Sequence, residues 1–460
     1  MTTRHTSRRE FLRQLGAFSM LGAAAPFALN LSAMGNAAAA SADEYRALVC
    51  LFMFGGNDHN NTVIPFDTAS YQAYSNARST LALPQNTLQQ LAASNITDGR
   101  QFAVPAELAP LKNLFDQGKA AVIANVGTLL TPIADAAEYR SGKVLVPPKL
   151  FSHNDQQAVW QALSPEGARI GWGGRMGDLL MSQNNAAQFT AVSAASNAVF
   201  LAGLRVKQYQ IGTNGPVGIN NLAGTLFGNM QGGAALRSLI TQQGNQLLQD
   251  EHGKVTQRSI DAFISLDAAL RGLPATDARV ALSTAAANNR LAQQLQIVAR
   301  MIGVNQAIGV KRQVFFVSIG GFDTHDNQLA TQAGLHTSMA QAIDYFYNAT
   351  VQLGLSQQVT LFTASDFGRT LTSNGDGSDH GWGSHHFVVG GAVKGKQIVG
   401  NMPVSQLGTA EDVGSGRLLP RIAVDQYAAT LGRWLGVADS DLSTVLPNIG
   451  RFATSNLGFL

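Results

Sequence analysis

Five short segments hold side chains able to bind a cation or move a proton. They are Asp58 with His59; Ser152, His153 and Asp155; Asp323, His325 and Asp326; Asp366 with Arg369; and Asp379, His380, His385 and His386. Six of the nine histidines fall inside them, so the imidazoles are concentrated and not scattered. Carboxylates gathered without compensating charge repel one another unless they are protonated or share a cation. Carboxylate oxygen with neutral imidazole nitrogen is a donor set for divalent metals, so a metal centre is the simplest chemistry that stabilises such a cluster.

The elements around these segments favour their meeting. RALVCLFMFGG (46–56), AAVIANVG (120–127), RQVFFVSIGG (312–321), VTLFTASDFG (359–368) and HFVVGGAV (386–393) read as buried strands. Helical patterns at 107–118, 335–354 and 424–437 lie between or after them. The alternation predicts an α/β fold, a mostly parallel central sheet with helices on both faces. Ligands in such sheets bind beyond the carboxyl ends of the strands, where these polar segments fall. Gly55, Gly56, Gly320 and Gly321 permit sharp exits from two of the strands. Residues 175–310 carry few strand signals and read as a mainly helical insertion in a single domain spanning 43–460.

Several residues also fit plainer roles. Asp58 with Asn57, Asn60 and Asn61 fits an Asx-type turn. Ser152 opens S-H-N-D, the spacing of a helix cap. His385 and His386 are adjacent, so in an extended stretch only one points inward. Asp366 with Arg369 fits a structural ion pair. No G-x-S-x-G elbow occurs, which disfavours a Ser-His-Asp hydrolase.

The 460-residue chain is 45% hydrophobic and 13% charged, enough to bury a large core. Its net charge of +3 resides in residues 1–42, where Arg4, Arg8, Arg9 and Arg13 face Glu10 alone. The remainder is balanced, which leaves no electrostatic case for nucleic acid. TSRREFLRQLG, a mildly apolar stretch and NAAAASA together resemble a twin-arginine export signal, with cleavage expected within 37–42. The expected partner is the twin-arginine export machinery, the expected location periplasmic or secreted, with no stable membrane anchor after signal removal. Cys50 is the only cysteine, excluding an internal disulfide, and lies in an apolar run as an inert hydrophobe.

LFMFGGNDHNN, APLKNLFDQGKAAVIANVGTL, PKLFSHNDQQ, GGFDTHDNQ and SDFGRTLTSNGDGSDHGWG together resemble the twin-arginine-exported bacterial family called domain of unknown function 1501. That family is grouped with the alkaline phosphatase and sulfatase superfamily. The resemblance implies metal ligands at Asp58, Asp323, His325, Asp366 and His380, and a nucleophile at Ser152. It further implies a leaving-group acid at His153 and an anion-neutralising guanidinium at Arg369. The cofactor would be a divalent metal, Zn, Mn, Ca or Mg, and the substrate a small anionic phosphate or sulfate ester. Phe367 departs from the superfamily's Asp-His pair. Either His325, His153 or His59 replaces the missing ligand, or the site holds one metal, or catalysis has lapsed. The alternative function is a secreted, non-catalytic binding or assembly protein on the same fold.

Overall fold

The computed structural model describes residues 44–222, 224–244 and 246–460. The twin-arginine segment and its cleavage region lie outside the described residues. The main sheet contains β1 (Arg46–Met53), β2 (Ala120–Gly127), β3 (Ala191–Ser193), β4 (Tyr209–Gln210), β5 (Arg312–Ile319), β6 (Val359–Ser365), β7 (Ser384–Gly390), β8 (Ile398–Val399) and β9 (Ile422–Ala423). Its order is β8-β2-β7-β6-β1-β5-β3-β4, with β9 also on β2. The principal helices are α1 (Thr68–Arg78), α2 (Ala109–Asp116), α3 (His153–Ala162), α4 (Trp172–Leu180), α5 (Leu247–Arg271), α6 (Arg290–Gly303), α7 (Gln328–Gln352) and α8 (Val424–Leu435).

Along β1, Ala47, Val49, Leu51 and Met53 enter one core, and Leu48, Cys50 and Phe52 the other. Side chains alternate between faces and both faces are covered, so the strand reads as an unbroken apolar run. Leu114 of α2, Leu295 of α6 and Ile343 of α7 cover the first face. Trp160 of α3, Met176 of α4 and Leu431 of α8 cover the second. The fold is thus α/β with helices on both sides of the sheet. Cys50 is buried, and burial pushes its thiol well above the ordinary range.

β1 runs parallel to β5 and β6, and only β7 is reversed against its neighbours. The segments that follow β1, β5 and β6 and the one that precedes β7 therefore emerge at one edge. That edge carries Asp58, Asp323, Asp366 and His380.

The stretch 175–310 departs from a simple helical insertion. It supplies β3 and β4 to the sheet, and most of α6 is buried in the first core. Strands of three and two residues are too short to display a period of two, so they left no readable signal. Helix α7 starts at Gln328, ahead of the expected 335, because buried Gln328 and Gln332 interrupt its apolar pattern. Both glutamines serve the polar edge described next.

Candidate metal centre

Beyond β1 the chain turns through Gly55 (φ 113°) and Gly56 (φ 84°). A Cβ on Gly55 would lie 2.3 Å from the Asp323 nitrogen, and one on Gly56 2.5 Å from the Phe367 ring. Paired glycines are required because the loops after β1, β5 and β6 meet there. The Gly55 N–H donates to Asp366 Oδ2 at 3.2 Å, tying the first loop to the third.

His153, Asp323 and His380 each offer a ligand atom, and these atoms lie within 4.8 Å of one another. His153 comes from the first turn of α3, Asp323 from the loop after β5, and His380 from the loop before β7. His325 joins the group, its Nε2 3.0 Å from His380 Nε2 and 3.0 Å from Asp323 Oδ1. Asp323 is 45% and His325 43% exposed at the side chain, so solvent and solutes can reach the centre.

All three imidazoles are anchored through Nδ1. His153 Nδ1 is 2.6 Å from Asp366 Oδ2, His380 Nδ1 2.7 Å from the Phe151 carbonyl, and His325 Nδ1 3.3 Å from Asp379 Oδ1. A carbonyl only accepts, so His380 Nδ1 carries the proton and the neutral ring presents a lone pair at Nε2. That lone pair faces Asp323 Oδ1, a second acceptor, at 3.2 Å. Two acceptors at this distance repel unless a proton or cation lies between them. His153 Nε2 points 3.3 Å from Asp323 Oδ2 and has no hydrogen-bond partner. Metal-binding histidine is commonly held in this way, by a carboxylate or carbonyl at one nitrogen with the other directed inward. The residues therefore fit a divalent cation, which tetrahedral Zn ligands would surround at separations of about 3.3–3.4 Å, from Zn–N distances of about 2.0–2.1 Å.

The local charges agree. The hydrogen bond to Asp366 raises the His153 pKa, whereas burial lowers that of His380. Burial alone would raise the Asp323 carboxyl, but Arg369, His153 and His325 together outweigh it and hold Asp323 below its ordinary range.

Two expected ligands stand apart from this group. Asp58 is fully buried in an ion pair with Arg78 of α1 at 2.5 Å, and also accepts from Gln328 Nε2 at 2.6 Å and from the Asn60 N–H and amide. With both oxygens occupied by protein donors, it caps the short turn His59–Asn61, as the Asx reading required. Asp366 is likewise buried, and its Oδ2 holds His153 Nδ1, the Gln157 amide and the Gly55 N–H. Through Oδ2 it orients the His153 ring, while its buried Oδ1 has no hydrogen-bond partner.

The expected catalytic residues also shift. Ser152 Oγ donates to Asp155 Oδ2 at 2.8 Å, a contact within its own turn. Arg369 is fully buried and donates to Gly55 O, Phe322 O, Asp323 Oδ1 and Ser378. Every arm of its guanidinium is engaged, so it clamps Asp323 and three loops and is not available to an anion. Its carboxylate partner is Asp323, not Asp366. His153, expected as an acid, lies with Asp323 and His380 in the group that could hold a cation. Phe367 forms a buried floor, its ring 4.9 Å from His153 and 4.7 Å from His380. His153 and His325 approach the centre from other elements, while His59 packs on His385 away from it.

Arg78, Gln157, Gln328 and Arg417 were not anticipated. Gln157 lies four residues after His153 on one face of α3, and that spacing is the one signal the sequence offered. Arg417 Nε donates to the His380 carbonyl at 2.7 Å, and its guanidinium lies 5.1 Å over the Phe151 ring. Its Nη2 makes no hydrogen bond to protein.

Among the described residues no helix is long and apolar enough to cross a membrane. No curated protein matches the chain. Among solved structures, Ps i-CgsB in complex with k-i-k-neocarrahexaose is similar at 8% identity and a TM-score of 0.34, over 90% of this chain and 77% of that one. A mutant form of the alkaline phosphatase PafA is similar at 11% identity and a TM-score of 0.26, over 71% and 64%. At these scores neither likeness bears on function. The family described as "Protein of unknown function (DUF1501)" matches residues 45–443, including every segment of the centre, and the chain belongs to that family.

Proposed function

We propose that this chain is an exported hydrolase of phosphate or sulfate esters that depends on one divalent metal held by His153, Asp323 and His380. The observation that carries the reading is the convergence of three Nδ1-anchored imidazoles on the Asp323 carboxylate at a solvent-open edge of the sheet. Two imidazole nitrogens and one carboxylate favour Zn or Mn over Ca and Mg, which prefer oxygen donors alone. When bound, such an ion acts as a Lewis acid toward an ester oxygen and lowers the pKa of water. His325, the most exposed of the three imidazoles, is placed to give a proton to the leaving oxygen. Arg417, which donates through Nε to the His380 carbonyl and keeps Nη2 free of bonds to the described residues, takes the anion-neutralising role in place of the fully buried Arg369. Ser152 is replaced as nucleophile by water. Export rests on the twin-arginine pattern of the leader.

One observation favours the alternative of a secreted, non-catalytic binding or assembly protein: the Ser152 hydroxyl and the Arg369 guanidinium are both taken up by protein partners. Metal analysis of native protein with a panel of aryl phosphates and sulfates separates the two. The hydrolase reading expects about one metal per chain and ester turnover, with both lost in His153→Ala and His380→Ala. Protein inert on the whole panel, metal-loaded or metal-free, removes the hydrolase and leaves the alternative.

A further inference from the structure

Beside the metal centre, the same sheet edge opens into a groove of about 750 Å³ over the carboxyl ends of β3, β4 and β5. Ser318, Ile319 and Gly320 line it, and Gly320 precedes Asp323 by three residues, so groove and centre lie within about 11 Å along the chain. Its volume falls in the range of sites for small organic ligands.

The lining has a definite chemistry. Ser196, Thr213, Asn288, Ser318 and Ser338 present hydroxyl and amide groups whose side chains make no hydrogen bond among the described residues, and Arg290 adds a guanidinium without an ion-pair partner among them. No acidic side chain lines the groove, so the Arg290 charge is uncompensated there. Aromatic rings are also absent from the lining, which removes the stacking surface a nucleobase needs. Neutral donors and acceptors with a single cation suit a ligand rich in hydroxyl groups that carries an acidic group.

We infer that this groove is a subsite for the non-reacting part of the substrate, a hydroxyl-rich oligomer such as an acidic glycan, with Arg290 holding an anionic group distant from the one at the metal centre. The inference rests on the hydrolase reading for the word substrate, but the binding itself does not require catalysis. Arg290 forms a charge-assisted, planar contact with sulfate, phosphate or carboxylate, while the hydroxyl and amide groups pair with the ligand's hydroxyls.

Calorimetric titration with short oligomers of dextran sulfate, the same oligomers without sulfate and inorganic tripolyphosphate tests this. Wild type and His380→Ala should both bind the sulfated oligomer. Arg290→Gln should weaken that binding about tenfold, as should Ser338→Tyr, which fills the groove. The neutral oligomer should bind wild type more weakly than the sulfated one and be indifferent to Arg290→Gln. Equal binding by wild type and Arg290→Gln, tripolyphosphate binding as tightly as the sulfated oligomer, or no binding by wild type and His380→Ala alike would overturn the subsite. Failure of the hydrolase reading is separate, appearing as groove binding intact without ester turnover.

Discussion

Neighbouring side chains at the sheet edge perform opposite tasks according to what surrounds them. His153, His325 and His380 are pinned at Nδ1 and open at Nε2, whereas His59, His385 and His386 are buried and held neutral. Asp323 is half exposed with imidazoles facing both oxygens, whereas Asp58 is fully buried against Arg78. This contrast separates a carboxylate committed to protein partners from one open to a cation. Asp58→Asn leaves the Arg78 charge uncompensated in the interior, which should cost about 3–5 kcal/mol of stability, read as a lower unfolding midpoint. The folded fraction should keep its metal. Asp323→Asn should do the reverse, losing metal at little cost in stability; a variant of Asp58 that folds normally yet loses metal would restore it as a ligand.

At the scale of elements, the centre depends on loops that touch through absent side chains. Gly55 combines a left-handed backbone with a 2.3 Å approach to the Asp323 nitrogen, so Gly55→Ala must push the β5 loop away. We expect a loss of about 2 kcal/mol from backbone strain, and an apparent metal affinity at least about tenfold weaker because Asp323 moves with its loop. Unchanged affinity in competition with a chromogenic chelator would show that the loop contact does not position the ligand. Here the sequence was readable in part. The five long strands carried their own signal because each is buried on both faces, while β3 and β4 were too short to carry one. The early start of α7 was hidden because Gln328 and Gln332 turn polar groups inward toward Asp58.

The whole molecule carries a pH dependence set by burial. Burial lowers His59 and His386 to about 3 and His336 to about 4, and takes His385 well below its ordinary value. An unfolded chain protonates these groups near 6.5, so their contribution to stability is present above that pH and is lost as pH falls toward the folded values. Asp425 opposes them: burial raises it to about 6, so the folded state retains its proton and gains stability as pH falls from about 6 toward 4. Asp344, also raised by burial, acts in the same sense as Asp425, but four buried histidines outweigh the two carboxyls and leave a net loss of stability as pH falls from about 6 toward 4.5. Calorimetric unfolding should show the midpoint falling there, with a net uptake of protons on unfolding. A flat midpoint from pH 6.5 to 4.5 would show that these imidazoles are protonated in the folded protein. The sequence by itself determined the α/β class, the common edge and the kind of chemistry collected there, because strand burial and donor type are local properties of residues. Only the tertiary structure decided which donors share a point: Asp58 was taken up by Arg78, Arg369 by three loops, and His153 was brought in by α3. Those outcomes depend on partners remote in sequence, and residue spacing alone carries no record of them.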